Sequence, residues 1–155
     1  MNKHEIDRLL PDAYNAILTG GFIKDGKIDP AFRSQISAYG AAVANGSLLA
    51  ATAFFSKKGN ADVDRSLLMN AINELMCGRY IQDGQKKKDN LFATITALQA
   101  EKKDVAENEK RYLQNIIKEQ VMMCATALKL SFNLFNLEDE KTAKEQTPTA
   151  QDGQG

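Results

Sequence analysis

The chain has 155 residues, 43% hydrophobic, 26% charged and 7% aromatic, with three Pro and no Trp. That length suits one domain with a real core and leaves little room for two, and the composition excludes collagen-like, mucin-like and wholly disordered chains. No apolar run reaches the roughly 18 to 20 residues of a membrane helix, and MNKHEIDRLL lacks the apolar stretch of a signal peptide, so a cytoplasmic protein with no membrane partner is expected.

Twenty Lys and Arg cancel twenty Asp and Glu, but residues 1–137 carry +3 and residues 138–155 carry −3. The balance therefore leaves nucleic acid open as a partner. Cys77 and Cys124 are too few for a Cys-rich zinc site or a disulfide framework, and both are expected to be core thiols.

Asn2 followed by Glu5 is a capping-box-like start, and Ile6, Leu9, Leu10, Tyr14, Ile17 and Leu18 share one helical face, which predicts a first helix over 3–19 ended by Gly20 and Gly21. Pro11 inside it removes a backbone donor and predicts a kink or a restart near Leu10. Asp25-Gly26 favours a tight turn between two short extended arms, marginal as a hairpin. Asp29-Pro30 caps a second helix over 30–44, with Phe32, Ile36, Tyr39 and Val43 inward until Asn45-Gly46 breaks it. Ser47 caps a third, with Leu48, Leu49, Thr52 and the Phe54-Phe55 pair inward and Gly59 after it.

A fourth helix is predicted from near Asp62, using Leu67, Leu68, Ala71, Ile72, Leu75 and Met76 before Gly78. Asp89 caps a fifth with Leu91, Phe92, Ile95 and Leu98 inward. The longest runs over about 107 to 136, with Tyr112, Leu113, Ile116, Ile117, Val121, Cys124, Leu128, Phe132 and Phe135 in period. Met122, Met123, Leu130, Leu134 and Leu137 widen that stripe beyond what one neighbour would cover, the mark of a helix buried among several others or facing a partner. Residues 138–155 hold almost no apolar side chains and are expected to be a disordered acidic tail. The fold class is all-α: a compact bundle of about six helices over residues 1–137, then the tail.

The chemical motifs mostly dissolve. GFIKDGKI matches most of a phosphate-binding loop at Gly21, Gly26 and Lys27, but Ile28 stands where Ser or Thr must hold magnesium, and Asp29-Pro30 starts a helix too late to aim its dipole at phosphates. The single histidine, His4, falls on the polar face of a first turn, where a general base would fray. Asn45-Gly46-Ser47 reads as a helix break. Asp62, Asp64 and Glu74 show no metal-ligand or acid–base spacing, so no cofactor and no metal is expected. The aromatic residues, Phe54 included, recur at core spacing.

What remains is a basic set: Lys57-Lys58, Arg79, Lys86-Lys87-Lys88, Lys102-Lys103 and Lys110-Arg111. Lysines at helix C-termini complement the macrodipole, which accounts for Lys57-Lys58 and Lys102-Lys103 without function. The loop triplet Lys86, Lys87 and Lys88 lacks that explanation and is taken, from charge alone, as a candidate RNA contact.

Three ordered stretches, LLPDAYNAI at 9–17, AFRSQISAYGAAVANGSLLAATAFFSKKG at 31–59 and CATALKLSFNLFNLE at 124–138, resemble the small helical subunit of the Cmr effector complex, the type III-B CRISPR RNA-guided interference machine. The resemblance spans about residues 5 to 137 and rests on Leu-Pro-x-Ala-Tyr, Ile-x-x-Tyr-Gly-Ala, Gly-x-Leu and a final Ala-Leu-Lys-Leu, much of it packing chemistry. Ser47 between Gly46 and the Leu pair departs from the pattern, and the acidic tail has no counterpart in it.

The resemblance implies a non-enzymatic subunit stacked in several copies as an inner filament, whose partners are other Cmr subunits, copies of itself, CRISPR guide RNA and target RNA. It implies no small-molecule substrate, nuclease and cyclase activities belonging to other subunits. Arg33, Lys57, Lys58 and Lys129, within or beside the matched stretches, become candidate contacts to target RNA or to neighbouring subunits. The competing reading is a free-standing cytoplasmic helical protein-interaction adaptor whose basic patches are solvated faces. An enzyme built on carboxylates gathered by the fold is a third.

Overall fold

A helix begins where a side chain satisfies its first orphan amides, and Asn2 Oδ1 does so by accepting from the N–H groups of His4 and Glu5. A computed structural model describes residues 1–82, 88–101 and 104–135. Within them α1 spans Lys3–Thr19 as one helix carrying Pro11, so the chain does not restart at Leu10. Its buried face is Ile6, Leu9, Ala13, Ala16 and Ile17. Tyr14 and Leu18, expected inward, are 38% and 46% exposed, because the small Ala13 and Ala16 let the axis approach its neighbour along a narrower stripe.

The marginal hairpin forms, with β1 at Ile23–Lys24 and β2 at Lys27–Ile28 pairing antiparallel. Asp25 at φ 53° and Gly26 at φ 74° make the left-handed turn that an Asp-Gly pair favours. α2 covers Ala31–Asn45, started by Asp29 Oδ1 accepting from the Ala31 N–H at 2.9 Å, and buries Phe32, Ile36, Tyr39 and Val43 as its spacing predicts.

α3, Leu48–Phe55, is capped by Ser47 Oγ. Consecutive residues on a helix lie about 100° apart, so Phe54 and Phe55 cannot both face the core. Phe55 is 4% exposed and Phe54 is 64% exposed, which corrects the expectation for the pair. Thr52, also buried, donates its hydroxyl to the Leu48 carbonyl at 2.8 Å. That proton being committed, the Tyr39 hydroxyl is the donor in the 2.8 Å bond to Thr52 Oγ1, and burial pushes the Tyr39 phenol up to about 12.

α4 starts at Ser66, later than predicted, because Asp64 rather than Asp62 supplies the cap, accepting from the Ser66 N–H at 3.1 Å. It runs through Gly78 to Tyr80, since Arg79 and Tyr80 both bind Glu5 of α1 and draw the last turn onto that helix. α5, Leu91–Ala100, is capped by Asn90 rather than Asp89, and Thr94 takes the buried place expected for Phe92, which is 40% exposed.

α6 spans Glu107–Ser131 and tightens into a 3₁₀ turn over Phe132–Leu134. Tyr112, expected inward, is 70% exposed near its start, whereas Ile117, Val121, Met123, Cys124, Ala125, Ala127, Leu128 and Phe132 are buried. α6 lies at the centre, packed against α1 above all and also against α2, α4 and α5. Both cysteines are free thiols; Cys124 is buried and Cys77 half-buried. Among the described residues no buried side-chain nitrogen or oxygen lacks a partner, and no helix is long and apolar enough to cross a membrane. The expected tail at 138–155 lies outside the described residues.

Candidate nucleic-acid interface

The last carbonyls of α3 need donors, and the way they find them organises the basic loop that follows. Ser56 takes two, its N–H bonding Ala53 O at 3.3 Å and its hydroxyl bonding Thr52 O at 2.6 Å. Arg65, just before α4, takes one more, Nη2 donating to Phe54 O at 3.0 Å, while its Nε donates to Lys57 O in the loop itself at 2.7 Å. Its guanidinium carbon sits 4.3 Å from the Phe54 ring centroid and 4.8 Å from that of Phe55. Gly59 closes the loop at φ 56°, where a Cβ would lie 3.1 Å from Arg65 Nη2.

Arg65 is only 9% exposed, so a buried cation, not a surface lysine, answers the dipole and carbonyls of α3. Lys57 and Lys58 are exposed on a loop whose backbone is already anchored. Sequence reasoning missed Arg65 because Asp-Arg-Ser in a short connection reads as solvated surface. The one available signal was the Phe54-Phe55 pair, since one ring had to leave the core and would need a partner.

Beside this loop a groove of about 500 Å³ runs between the hairpin, the start of α2 and the connection into α4. Phe22, Ile28, Phe32, Val63 and Leu67 supply its apolar wall, while Lys24, Lys27 and Lys58 share its rim with Asp25, Asp29, Asp62 and Asp64. Three cations against four carboxylates do not make a phosphate pocket, and Asp29 and Asp64 are helix caps. The fragment that resembled a phosphate loop is the hairpin itself, with Lys24 paired to Lys27.

Phe22, Phe32 and Phe132 pack together, with centroids 4.9 Å apart for the first pair, 5.6 Å for Phe22 and Phe132 and 6.5 Å for Phe32 and Phe132. Arg33 is half-buried and adjoins Phe32 in the first turn of α2; Lys129 is exposed in the last turn of α6, just before Phe132. The aromatic cluster thus brings together the elements that carry Arg33 and Lys129, and Lys58 lines the same groove as Phe22 and Phe32. Lys88 has a different anchor: its carbonyl accepts from Asn73 Nδ2 at 3.1 Å, and Asn73 Oδ1 accepts from the Thr94 hydroxyl at 2.6 Å. Lys86 and Lys87, like Lys102 and Lys103, lie outside the described residues.

Among the described residues two members of the basic set are committed to intramolecular pairs. Arg79 addresses both oxygens of Glu5, Nε at 2.7 Å and Nη2 at 3.2 Å, and Tyr80 donates to the same carboxylate at 3.1 Å. The Arg79 hydrogen bond holds the Glu5 carboxyl below its usual range although partial burial opposes it. Lys110 pairs with Glu107 at 3.6 Å.

His4 is exposed, burial pushes the Cys124 thiol up to about 12, and among the described residues no group of three or more His, Cys, Asp and Glu could hold a metal ion. The arrangement places two exposed lysines and an exposed phenyl ring on a backbone held by Arg65. A scan against protein-family models and searches of curated proteins and of solved structures return no match.

Proposed function

We propose that the chain is a non-catalytic subunit of a type III-B CRISPR RNA-guided effector complex, contacting the sugar-phosphate backbone of target RNA or of the guide–target duplex through the Lys57–Lys58 loop. The observation that carries this reading is the Arg65 clamp: two exposed lysines ride on a loop tied to the end of α3, with Lys57 O held at 2.7 Å and Phe54 O at 3.0 Å by one guanidinium. A held backbone presents both lysines from a fixed base toward a regular phosphate array, and phosphate contacts position without reading sequence. Arg33 and Lys129 extend the footprint from the elements that the aromatic cluster brings together. The likeness over residues 31–59 to the Cmr small subunit, which closes on these two lysines, supplies the identity of the complex.

A separate surface supports the protein–protein side of the reading. Tyr14 stacks on Phe135 with centroids 5.0 Å apart, and Leu18, one turn beyond Tyr14, and Leu130 and Leu134, in the last residues before Phe135, are 46%, 45% and 67% exposed. Such an apolar face suits contact with a neighbouring subunit, and it is also what a free-standing adaptor would present. Affinity purification of the tagged full chain from its native cell, with mass spectrometry and RNA sequencing, separates the two. Recovery of CRISPR guide RNA with large backbone subunits is expected; recovery of unrelated partners without RNA refutes the effector role. Within the complex, Lys57→Gln with Lys58→Gln should flatten the salt dependence of target-RNA binding, by about 0.7 in log–log slope for each phosphate no longer neutralised.

A further inference from the structure

Phe54 is the one ring near the basic loop that the fold leaves outside. A phenyl side chain left 64% exposed forgoes most of its burial energy, and this one is not loose. One of its faces is covered by the Arg65 guanidinium at 4.3 Å, and it forms a T-shaped pair with Phe55, with centroids 5.5 Å apart and planes at 71°. Exposure on that scale with one face covered leaves the opposite face to solvent. The guanidinium that backs the ring also binds the carbonyls of Phe54 and Lys57, so ring and cationic loop share one anchor and hold a constant relation to each other.

We propose that Phe54 is a nucleobase-stacking platform, taking a base of single-stranded RNA on its outer face while Lys57 and Lys58 meet the adjoining phosphates; this rests on reading the loop as an RNA contact. A cation behind a phenyl ring draws its π-electrons inward and leaves the outer face less electron-rich, which favours stacking an electron-rich purine there. Arg65 also fixes the ring, so little side-chain freedom remains to be lost on stacking. Every base has a π-face, so the platform is indifferent to most sequence and compatible with a subunit that contacts whatever target the guide selects.

The absence of Trp from the chain makes the test direct, because Phe54→Trp introduces a single fluorophore at the proposed site. The full chain is titrated with fluorescein-labelled oligoadenylate and with an abasic oligomer of equal length, following anisotropy and, for Phe54→Trp, indole emission. Expected are quenching of the indole by oligoadenylate and not by the abasic oligomer, and a roughly 5- to 100-fold loss of oligoadenylate affinity in Phe54→Leu. The salt slope should be unchanged by that substitution, while Lys57→Gln with Lys58→Gln lowers it. Circular dichroism of Phe54→Leu should match the parent, since the replaced ring is exposed.

If Phe54→Leu binds oligoadenylate as the parent does while the lysine variant loses affinity, the platform is overturned and the RNA-contact reading stands. If the parent binds neither oligomer, both fall. If Phe54→Leu keeps its RNA affinity and instead loses co-purifying protein subunits, the ring is a protein contact and the proposal fails.

Discussion

Truncating Arg65 to Ala tests the physical premise of the candidate interface, namely that a buried cation holds the Lys57–Lys58 loop. The change removes the bonds to Phe54 O and Lys57 O and the guanidinium between two phenyl rings. Each charge-assisted bond contributes about 1.5 kcal/mol at the lower end of its range, apt here because loop carbonyls regain water once the side chain is gone. The two ring contacts add about 0.5–1 kcal/mol each, and relief from desolvating the cation offsets part of the sum. A net loss of about 2–4 kcal/mol follows, which for a domain of this size lowers the melting temperature on the order of 10 °C.

Urea unfolding followed by far-ultraviolet circular dichroism measures the loss, and hydrogen exchange at Lys57–Gly59 locates it. Arg65→Lys keeps the charge without the planar fork and should recover less than half of the difference. If both variants unfold within about 0.5 kcal/mol of the parent, an ordinary surface effect, the clamp does not hold the loop and the premise is refuted.

Glu5→Gln should destabilise the chain at neutral pH, and the gap should close on acidification: the folded-state carboxyl lies below its ordinary 4.5, so its contribution is whole above that value and vanishes as pH falls through the folded pKa. Added salt should narrow the neutral gap because Arg79 is 38% exposed; melting curves whose separation ignores both pH and salt would refute the pairing. Asn73→Ala leaves the Lys88 carbonyl and the Thr94 hydroxyl without their shared partner and should cost about 2–3 kcal/mol, with faster exchange of the amides just before α5; a loss below about 0.5 kcal/mol argues against the network. Cys124, buried and with its thiol pushed up to about 12, should be alkylated only at the rate of global unfolding, which mass spectrometry after graded urea exposure checks against the circular-dichroism midpoint; labelling in the native state would contradict its placement.

The helices were legible because capping residues and apolar period act over a single turn. Asn2, Ser47 and the Asp29-Pro30 pair started helices where expected, and α1 matched its predicted span. Faces were less legible where two apolar residues compete for one inward position. At Phe54-Phe55 and Leu91-Phe92 the outcome depends on what the neighbouring helix presents, which no local pattern contains. Glycine misled at Gly78, where Glu5, far off in sequence, supplies partners that carry the helix onward. The candidate cations Arg33, Lys57, Lys58 and Lys129 could be named from the chain, but bringing the elements of Arg33 and Lys129 together needed Phe22, Phe32 and Phe132 to meet. Arg65 was illegible for the same reason, since its ring partners lie on the helix before its own.

The pairing of α1 with α6 bears on how the chain is made. α1 finds its main neighbour in α6, and leaves the ribosome on the order of ten seconds before it. Through that interval the stripe of Ile6, Leu9, Ala13, Ala16 and Ile17 lacks its main cover, and α2, α4 and α5 must wait for the central strut against which they pack. Folding is thereby postponed until α6 has been made, a slow timetable for a helical protein, and a nascent chain stalled before α6 would offer chaperones and proteases an open apolar face.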